Sequence, residues 1–348
     1  MMLKIRNSHF KESKKDKSFG YLPSDKEVFC YNLSNKNGFE VEVINYGAVI
    51  SSIKIPISKK EKVDVVLGFE TLENYIQSFN LPSAPYLGAI VGRYAGRINN
   101  AEFILNGNKV ELTKNHGSHQ LHGGINGFSK ALWNVKNVTT NAITLEYISQ
   151  DNEENFPGQL TTQVTYILTE DNELKVDMFA KSTEDTVINL TQHSYFNLDG
   201  QSEDIVNQDL FVNSSKTLET NIDNIPTGRF FEVARSPFDF NLPKECPTKI
   251  DNTFVLNDND TVSAILISKK NNLKMSVFTN QPAIHIYVGG NCFNQIKGKE
   301  NASYHPLSGI CFEAQNFPDA PNHEHFPSAV LKKDETYHHK TTFKFEKI

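Results

Sequence analysis

The stretch Phe39-Glu40-Val41-Glu42-Val43 decides the fold class, because apolar and acidic side chains alternate along it with a period of two. A strand places successive side chains on opposite faces of a sheet, so this pattern predicts a half-buried β-strand. The alternation recurs in Leu174-Lys175-Val176-Asp177-Met178 and in Leu273-Lys274-Met275-Ser276-Val277. Repeated half-buried strands are typical of antiparallel sheets that cover a core with one face.

Turn-forming residues separate several of the predicted strands. Asn106-Gly107 follows Phe103-Ile104-Leu105 and precedes Val110-Glu111-Leu112, and this dipeptide tolerates the positive φ of a tight hairpin turn. Asn271-Asn272 separates residues 264–267 from the next strand in a similar way. These turns predict that neighbouring strands pair as antiparallel hairpins.

A helical pattern is persuasive only at residues 71–79, where apolar residues recur at three- and four-residue spacing behind Thr71 as a candidate N-cap. No Gly/Ser-rich or Pro-rich linker divides residues 20–348. We therefore predict an all-β protein, a large antiparallel β-sandwich with few short helices, in which residues 19–348 form a single domain.

Charge and hydropathy exclude several classes of protein. The chain has 35 Lys and Arg against 41 Asp and Glu, and its net charge of −6 opposes binding to nucleic acid. No apolar run approaches the roughly 20 residues of a membrane-spanning helix. Residues 1–18 are rich in lysine and poor in apolar residues, so we expect a flexible basic tail and not a secretory signal. Cytoplasmic residence is the default expectation, as a monomer or homodimer.

The four cysteines, Cys30, Cys246, Cys292 and Cys311, are far apart and form no C-x-x-C pair. This spacing indicates neither a disulfide framework nor a zinc ribbon. We expect reduced and partly buried thiols.

The candidate chemistry centres on His193, which lies among hydrogen-bonding side chains in Asn189-Leu190-Thr191-Gln192-His193-Ser194-Tyr195-Phe196-Asn197-Leu198. Glu313 follows Ile310-Cys311-Phe312 on a predicted central strand, and His122 precedes Gly123-Gly124. Two imidazoles and a strand-borne carboxylate are what proton transfer without a cofactor requires. Taken singly, Glu313 could instead face solvent, and His122 could be a structural turn residue.

Two further clusters are ambiguous on sequence alone. Arg93 and Arg97 lie in Gly92-Arg93-Tyr94-Ala95-Gly96-Arg97-Ile98-Asn99, where they could bind the oxygens of a polyhydroxylated ligand or form surface ion pairs. His116, His119 and His122 are spaced three apart, which invites a metal site. No helical pattern brings these three to one face, so we predict no metal.

Together these segments resemble the aldose 1-epimerase family, also called galactose mutarotases. The resemblance runs from about Phe19 to Phe345. It includes Asn45-Tyr46-Gly47-Ala48, the Gly92 to Asn99 segment, Leu121-His122-Gly123-Gly124, Phe156-Pro157-Gly158, Ile225-Pro226-Thr227-Gly228, Gln281-Pro282 and the segment that begins at Glu313. Each motif is weak alone, but their order and spacing are specific.

The resemblance implies a sugar cleft on a β-sandwich and assigns roles to six residues. Glu313 would be the general base, His193 the general acid and His122 a second imidazole at the ring oxygen. The sugar hydroxyls would be bound by Arg97, Asp251 and Gln281. No cofactor or metal is implied, and the partner is a small sugar. Many relatives have Asn where this chain has Gly96, and His where it has Asn252, which bears on substrate preference.

Two alternatives stay open at this point. A hexose-phosphate epimerase of the same fold would need a cationic clamp, and the chain has only five arginines. A non-catalytic carbohydrate-binding protein could keep the sandwich without turnover, although the presence of Glu313, His193 and His122 together disfavours it.

Overall fold

A computed structural model of the chain describes residues 17–257, 261–290 and 295–348. Strands account for 47% of the structure and helices for 8%, which confirms the predicted all-β class. The predicted tail, residues 1–18, lies outside the described residues except for Lys17 and Ser18, which begin the first strand. The single domain predicted for residues 19–348 stays a prediction.

The first strands in chain order are β1 (Lys17–Tyr21), β2 (Glu27–Ser34), β3 (Glu40–Ile44), β4 (Val49–Pro56), β5 (Lys62–Asp64), β6 (Ile90–Val91), β7 (Arg97–Ile98), β8 (Glu102–Leu105), β9 (Asn108–Glu111) and β10 (Gln120–Leu121). The next are β11 (Asn134–Val138), β12 (Ala142–Ser149), β13 (Leu160–Leu168), β14 (Glu173–Ser182), β15 (Thr186–Val187), β16 (Thr191–Gln192), β17 (Tyr195–Phe196), β18 (Gln208–Val212) and β19 (Ser214–Thr220). The last are β20 (Pro226–Glu232), β21 (Lys244–Glu245), β22 (Ile250–Leu256), β23 (Ala264–Ser268), β24 (Leu273–Thr279), β25 (Ala283–Val288), β26 (Ile310–Gln315), β27 (Val330–Leu331) and β28 (Tyr337–Lys347).

The α-helix α1 is Leu72–Phe79, and short 3-10 helices are formed by Asn99–Ala101, Phe128–Lys130, Glu153–Asn155, Ile205–Asn207, Lys299–Asn301 and Ala320–Asn322. Thr71 caps α1, since its side chain accepts a hydrogen bond from the Asn74 amide at 3.3 Å. The predicted helix and its cap are therefore confirmed. None of the helices in the described part of the chain is long and apolar enough to cross a membrane.

Within residues 17–257, 261–290 and 295–348, three sheets of more than two strands form the architecture. A nine-stranded sheet has the order β11-β12-β13-β14-β28-β24-β23-β18-β21, and a six-stranded sheet has the order β17-β26-β25-β22-β19-β20. A five-stranded sheet, β1 to β5 in chain order, completes them. The strand pairings within these sheets are antiparallel, as the hairpin turns predict.

The core lies where these sheets face one another. Phe312 and Ile286 of the six-stranded sheet share one buried cluster with Met275 of the nine-stranded sheet and Val43 of the five-stranded sheet. The ring of Phe196 on β17 lies 4.9 Å from that of Phe343 on β28, centre to centre. Burial of these apolar faces against each other makes the sandwich, and it leaves the opposite face of the six-stranded sheet available for a polar site.

The hairpin predicted at Asn106-Gly107 is present between β8 and β9. Asn106 has φ 51° and Gly107 has φ 79°, so both central residues occupy the left-handed region that a two-residue hairpin turn demands. Leu105 pairs with Asn108 across the turn. Local turn chemistry was sufficient to predict this element.

Arg93 is a buried structural residue, so both interpretations of it from sequence were wrong. The residue is 2% exposed. Its guanidinium donates hydrogen bonds to the carbonyl oxygens of Pro157 at 2.9 Å and Gly158 at 2.8 Å, and to the hydroxyl of Ser149. Through these hydrogen bonds Arg93 stabilises the connection between β12 and β13, which contains the Phe156-Pro157-Gly158 motif.

Cys30 is partly buried, and Cys246 and Cys311 are fully buried. Within the described residues these three cysteines are not joined in disulfides, whereas Cys292 lies outside that part of the chain. Burial raises the pKa of Cys30 to about 12, so this thiol is protonated at neutral pH.

His339, on β28, is fully buried, and its Nε2 lies 2.9 Å from Thr341 Oγ1. Burial lowers the pKa of His339 to about 3, so the imidazole is neutral in the folded protein. In the unfolded chain the imidazole of His339 becomes protonated near the ordinary histidine pKa of ~6.5. The stability contributed by neutral His339 is therefore complete above about pH 6.5 and is lost progressively as the pH falls.

We expect His339→Gln to weaken the pH dependence of the free energy of unfolding by about 1 kcal/mol per pH unit between about pH 6 and pH 4. Urea unfolding at a series of pH values measures this slope. His325→Gln is the control, because His325 is exposed. Equal slopes for wild type and His339→Gln would contradict the prediction.

Candidate active site

The polar face of the six-stranded sheet carries the site, and strand register places its residues. On β26, Ile310 and Phe312 belong to the core, so Glu313 points to the opposite face. Glu313 pairs directly with His285 on β25, and His285 pairs with Thr253 on β22. The register therefore aligns three polar side chains from three adjacent strands across one face.

Glu313 and His193 meet at the base of a cavity. Their side chains are 3% and 5% exposed, and Glu313 Oε1 lies 3.4 Å from His193 Nε2. His193 lies between β16 and β17, where its amide donates to the Ala89 carbonyl and its carbonyl accepts from the Gly88 amide, each at 2.9 Å. The two residues are 120 positions apart in the chain, yet their reactive atoms are within reach of one small molecule.

His122 joins this pair from the turn after β10. Its ring centre lies 5.4 Å from that of His193, and the Tyr86 ring packs against it at 4.9 Å. The Gly96 amide donates to His122 Nδ1 at 3.3 Å, so a neutral His122 carries its proton on Nε2. Burial, together with the charges of His193 and Arg97, lowers the pKa of His122 well below its ordinary value. His122 is therefore a neutral hydrogen-bond donor at physiological pH.

The glycine after His122 is required by close approach of the backbone. Gly123 has φ 82°, and a Cβ atom there would lie 2.0 Å from the Gly92 carbonyl oxygen. His122 itself has φ 54°. A side chain at Gly123 would push this turn away from Gly92 and move the imidazole of His122 with it.

The structure brings five of the six predicted site residues to one cavity of about 410 Å³. They are His122, His193, Glu313, Arg97 and Asp251. Such a volume is in the range of small-molecule sites. Arg97 lies on β7, and its Nε is buried with no hydrogen-bond partner among the described residues. An unpartnered buried donor in a cavity wall is a ready contact for a ligand oxygen.

Gln281 is not among the described residues that line this cavity. It lies between β24 and β25, and its side-chain amide donates to Asn280 Oδ1 at 3.0 Å. The expected role of Gln281 in binding sugar hydroxyls therefore has no geometric support. The cavity wall instead contains Gln315, which follows Glu313 by two residues on the same face of β26.

Sequence reasoning missed several residues that line the cavity. They include Tyr86, Asn115, Lys130, Tyr195, His285, Tyr287 and Gln315, whereas His116, which the sequence suggested only as a metal ligand, also lines the cavity. A signal for His285 was present, since Ile284-His285-Ile286 places a polar residue between two core residues of a strand. A signal for the loop residues, such as Asn115 and Lys130, was lacking because no periodicity fixes where a loop side chain points.

The group His122, His193 and Glu313 is compact enough to hold a cation, since its ligand atoms lie within 4.8 Å of one another. The hydrogen bonds do not fit that use. A metal-bound histidine normally donates its other ring nitrogen to an oxygen acceptor, whereas His122 Nδ1 accepts from the Gly96 amide. His119, from the spacing that invited a metal site, uses its Nδ1 to accept from the Asn100 amide. The arrangement suits proton transfer.

A β-sandwich with a buried carboxylate and two imidazoles at the base of an open polar cavity defines an enzyme that moves protons on a small hydroxylated molecule. The model of the aldose 1-epimerase family matches residues 30–344, and the chain belongs to this family. It is 36% identical over 339 residues to the galactose mutarotase of Sus scrofa, covering 94% of this chain and 97% of that one.

Other comparisons agree with this assignment. The aldose 1-epimerase of Haemophilus influenzae is 34% identical over 333 residues, covering 90% of this chain and 94% of the other. Among solved structures, an aldose epimerase homologue from C. elegans superposes with a TM-score of 0.86 at 26% identity, covering 92% of this chain and 99% of that chain. The predicted family and the predicted sandwich are confirmed.

Proposed function

We propose that this protein is an aldose 1-epimerase, an isomerase that interconverts the α and β anomers of free aldohexoses such as galactose and glucose. The observation that carries the proposal is the approach of Glu313 Oε1 to His193 Nε2 at 3.4 Å on the floor of the cavity. One group that accepts a proton and one that donates it thus face the same small volume, without need of a cofactor.

The chemistry follows from the two acetal oxygens of a pyranose. Glu313 removes the proton from the anomeric hydroxyl, and the electron pair of that O–H bond forms the C1 carbonyl. The bond between C1 and the ring oxygen breaks, and the ring oxygen takes a proton from His193. Rotation about C1–C2 presents the other face of the aldehyde, and closure with both transfers reversed gives the opposite anomer. Protons and electrons balance over the full cycle.

His122 supports this step from the ring-oxygen side. Its neutral Nε2–H group can donate a hydrogen bond to the ring oxygen as negative charge develops there. A positively charged His122 would compete for Glu313 and repel His193, so the lowered pKa of His122 keeps the two imidazoles compatible.

Arg97 and Asp251 are proposed to hold the hydroxyls that do not react. The open aldehyde must rotate only about C1–C2, so the remainder of the sugar needs fixed hydrogen bonds. The buried Nε of Arg97 offers a donor. The carboxylate of Asp251 offers acceptors, which complement the hydroxyl protons.

Localisation, assembly and other partners stay predictions. Composition leads us to expect cytoplasmic residence and no binding to nucleic acid, and a monomer or homodimer is expected as the assembly. The net charge of −6 supports the last of these.

Polarimetry on freshly dissolved α-D-glucose and α-D-galactose tests the proposed function. We expect added protein to accelerate the approach to anomeric equilibrium in proportion to its concentration, and a chelator to leave the rate unchanged. An unaccelerated rate at high protein concentration would overturn the assignment, and sugar binding without acceleration would indicate a carbohydrate-binding protein. Acceleration restricted to hexose phosphates would favour the alternative epimerase.

A further inference from the structure

Asp251 is held at both carboxylate oxygens by protein groups. His285 Nε2 lies 3.0 Å from Oδ1, and Asn224 Nδ2 donates to Oδ2 at 3.1 Å. An aspartate carboxylate turns easily about its last side-chain torsion, because that torsion has a broad energy profile. Two donors on different oxygens fix the plane of the group.

His285 has both ring nitrogens engaged by the protein. Nε2 faces Asp251, and Nδ1 lies 2.8 Å from the hydroxyl of Thr253, the residue that pairs with His285 across β22 and β25. The imidazole lines the cavity with a side chain that is 15% exposed. A ligand in the cavity therefore meets a histidine with no ring nitrogen left to offer.

The Asp251 carboxylate still has hydrogen-bond acceptor positions that a ligand can use. An ionised carboxylate has about four acceptor positions, and His285 and Asn224 occupy two of them. The Asp251 side chain is 27% exposed and lines the cavity. The remaining positions can each accept a hydrogen bond from a sugar hydroxyl.

We infer that His285 is a positioning residue that fixes the Asp251 carboxylate for hydroxyl recognition, so that it governs sugar affinity and not the proton transfers. This inference rests on the proposed function for the identity of the ligand. The assignment of His285 to Asp251, by contrast, stands on the geometry of the protein alone. The contact between His285 and Asp251 and its effect on sugar affinity can therefore be tested separately.

The charges around the pair favour a persistent contact. Burial opposes protonation of His285, but the hydrogen bond with Asp251 and the charges of Glu313 and Asp251 raise its pKa above the ordinary value, against an opposing effect of Arg97. Burial likewise opposes ionisation of Asp251, yet the hydrogen bond and charge of His285, with the charges of Arg97 and Lys249, lower its pKa. The imidazolium and the carboxylate thus stabilise each other's charged forms.

Steady-state kinetics of mutarotation distinguish a positioning role of His285, which would change KM, from a catalytic role, which would change kcat. We expect His285→Leu to raise KM by about 10- to 100-fold, the loss of a hydrogen bond to a charged group, while kcat stays within about threefold. His285→Gln restores an N–H donor and should return KM to within about fivefold of wild type. The matched control is His338→Leu, which breaks a similar contact with Asp177 at 2.7 Å outside the cavity lining and should leave both constants unchanged.

An NMR titration of the His285 imidazole tests the contact between His285 and Asp251, and this measurement does not depend on catalysis. We expect Asp251→Asn to lower the pKa of His285, because the carboxylate that stabilises the imidazolium is gone. An unchanged His285 pKa in this variant, an unchanged KM in His285→Leu, or a fall in kcat larger than the rise in KM would each overturn the inference. If wild type fails to accelerate mutarotation, the proposed function fails, while the NMR result still decides the contact.

Discussion

Glu313→Gln is expected to lower kcat for mutarotation by about 10²- to 10⁴-fold, the usual contribution of a positioned general base. The amide keeps the shape of the side chain but cannot take the proton of the anomeric hydroxyl. Glu313 is 2% exposed as a whole residue and lies directly across from His285. Because Gln has nearly the same shape as Glu, the substitution should leave the packing around this position unchanged. Sugar binding should survive, so titration calorimetry should still detect galactose or glucose.

The control for this prediction is Glu232→Gln on β20, an exposed carboxylate on the same sheet that does not line the cavity. It should retain wild-type kcat. Retention of more than about a tenth of the activity by Glu313→Gln would remove Glu313 from the role of base. His193→Gln offers an independent comparison, since loss of the acid should give a defect of the same order.

The second large effect is expected for stability. Arg93→Met should lower the free energy of unfolding by about 4 to 6 kcal/mol, because several acceptors lose their donor at once and each buried unpaired group costs about 1 to 3 kcal/mol. These acceptors include the carbonyl oxygens of Pro157 and Gly158 and the hydroxyl of Ser149. The Phe156 ring, 5.5 Å from the guanidinium carbon, also loses its cationic neighbour.

Urea unfolding followed by tryptophan fluorescence measures this effect, since Trp133 is the single tryptophan of the chain and is fully buried. Arg229→Met is the matched control. Arg229 is 75% exposed and pairs with Glu219 on the surface, so its replacement should leave the unfolding midpoint close to that of wild type. Equal unfolding midpoints for the two variants would show that the buried contacts of Arg93 contribute nothing specific.

The elements set by local chemistry could be predicted from the sequence. Period-two alternation, the Asn106-Gly107 turn and the Thr71 cap each depend on a few neighbouring residues, and each is present in the structure. The sandwich followed from the number of such strands and the lack of linkers. His193, Glu313 and His122 stood out because polar residues interrupt strand or turn patterns at those positions.

What failed depends on contacts between distant residues. The burial of Arg93 is decided by carbonyl groups more than 50 positions away, which no local pattern reveals. The contact of His285 with Asp251 requires the register of β22 against β25. Gln281, which the resemblance assigned to sugar binding, is not among the described residues that line the cavity, and its role stays a prediction.

The register of β26 has a consequence for how this site tolerates insertions. Core and cavity residues alternate along that strand, with Phe312 on one side and Glu313 on the other. Adding a single residue upstream within β26 would exchange the two, placing a carboxylate in the apolar interior and a phenyl ring in the cavity. Changes of length in this protein should therefore accumulate in the connecting loops, while its central strands keep a fixed length.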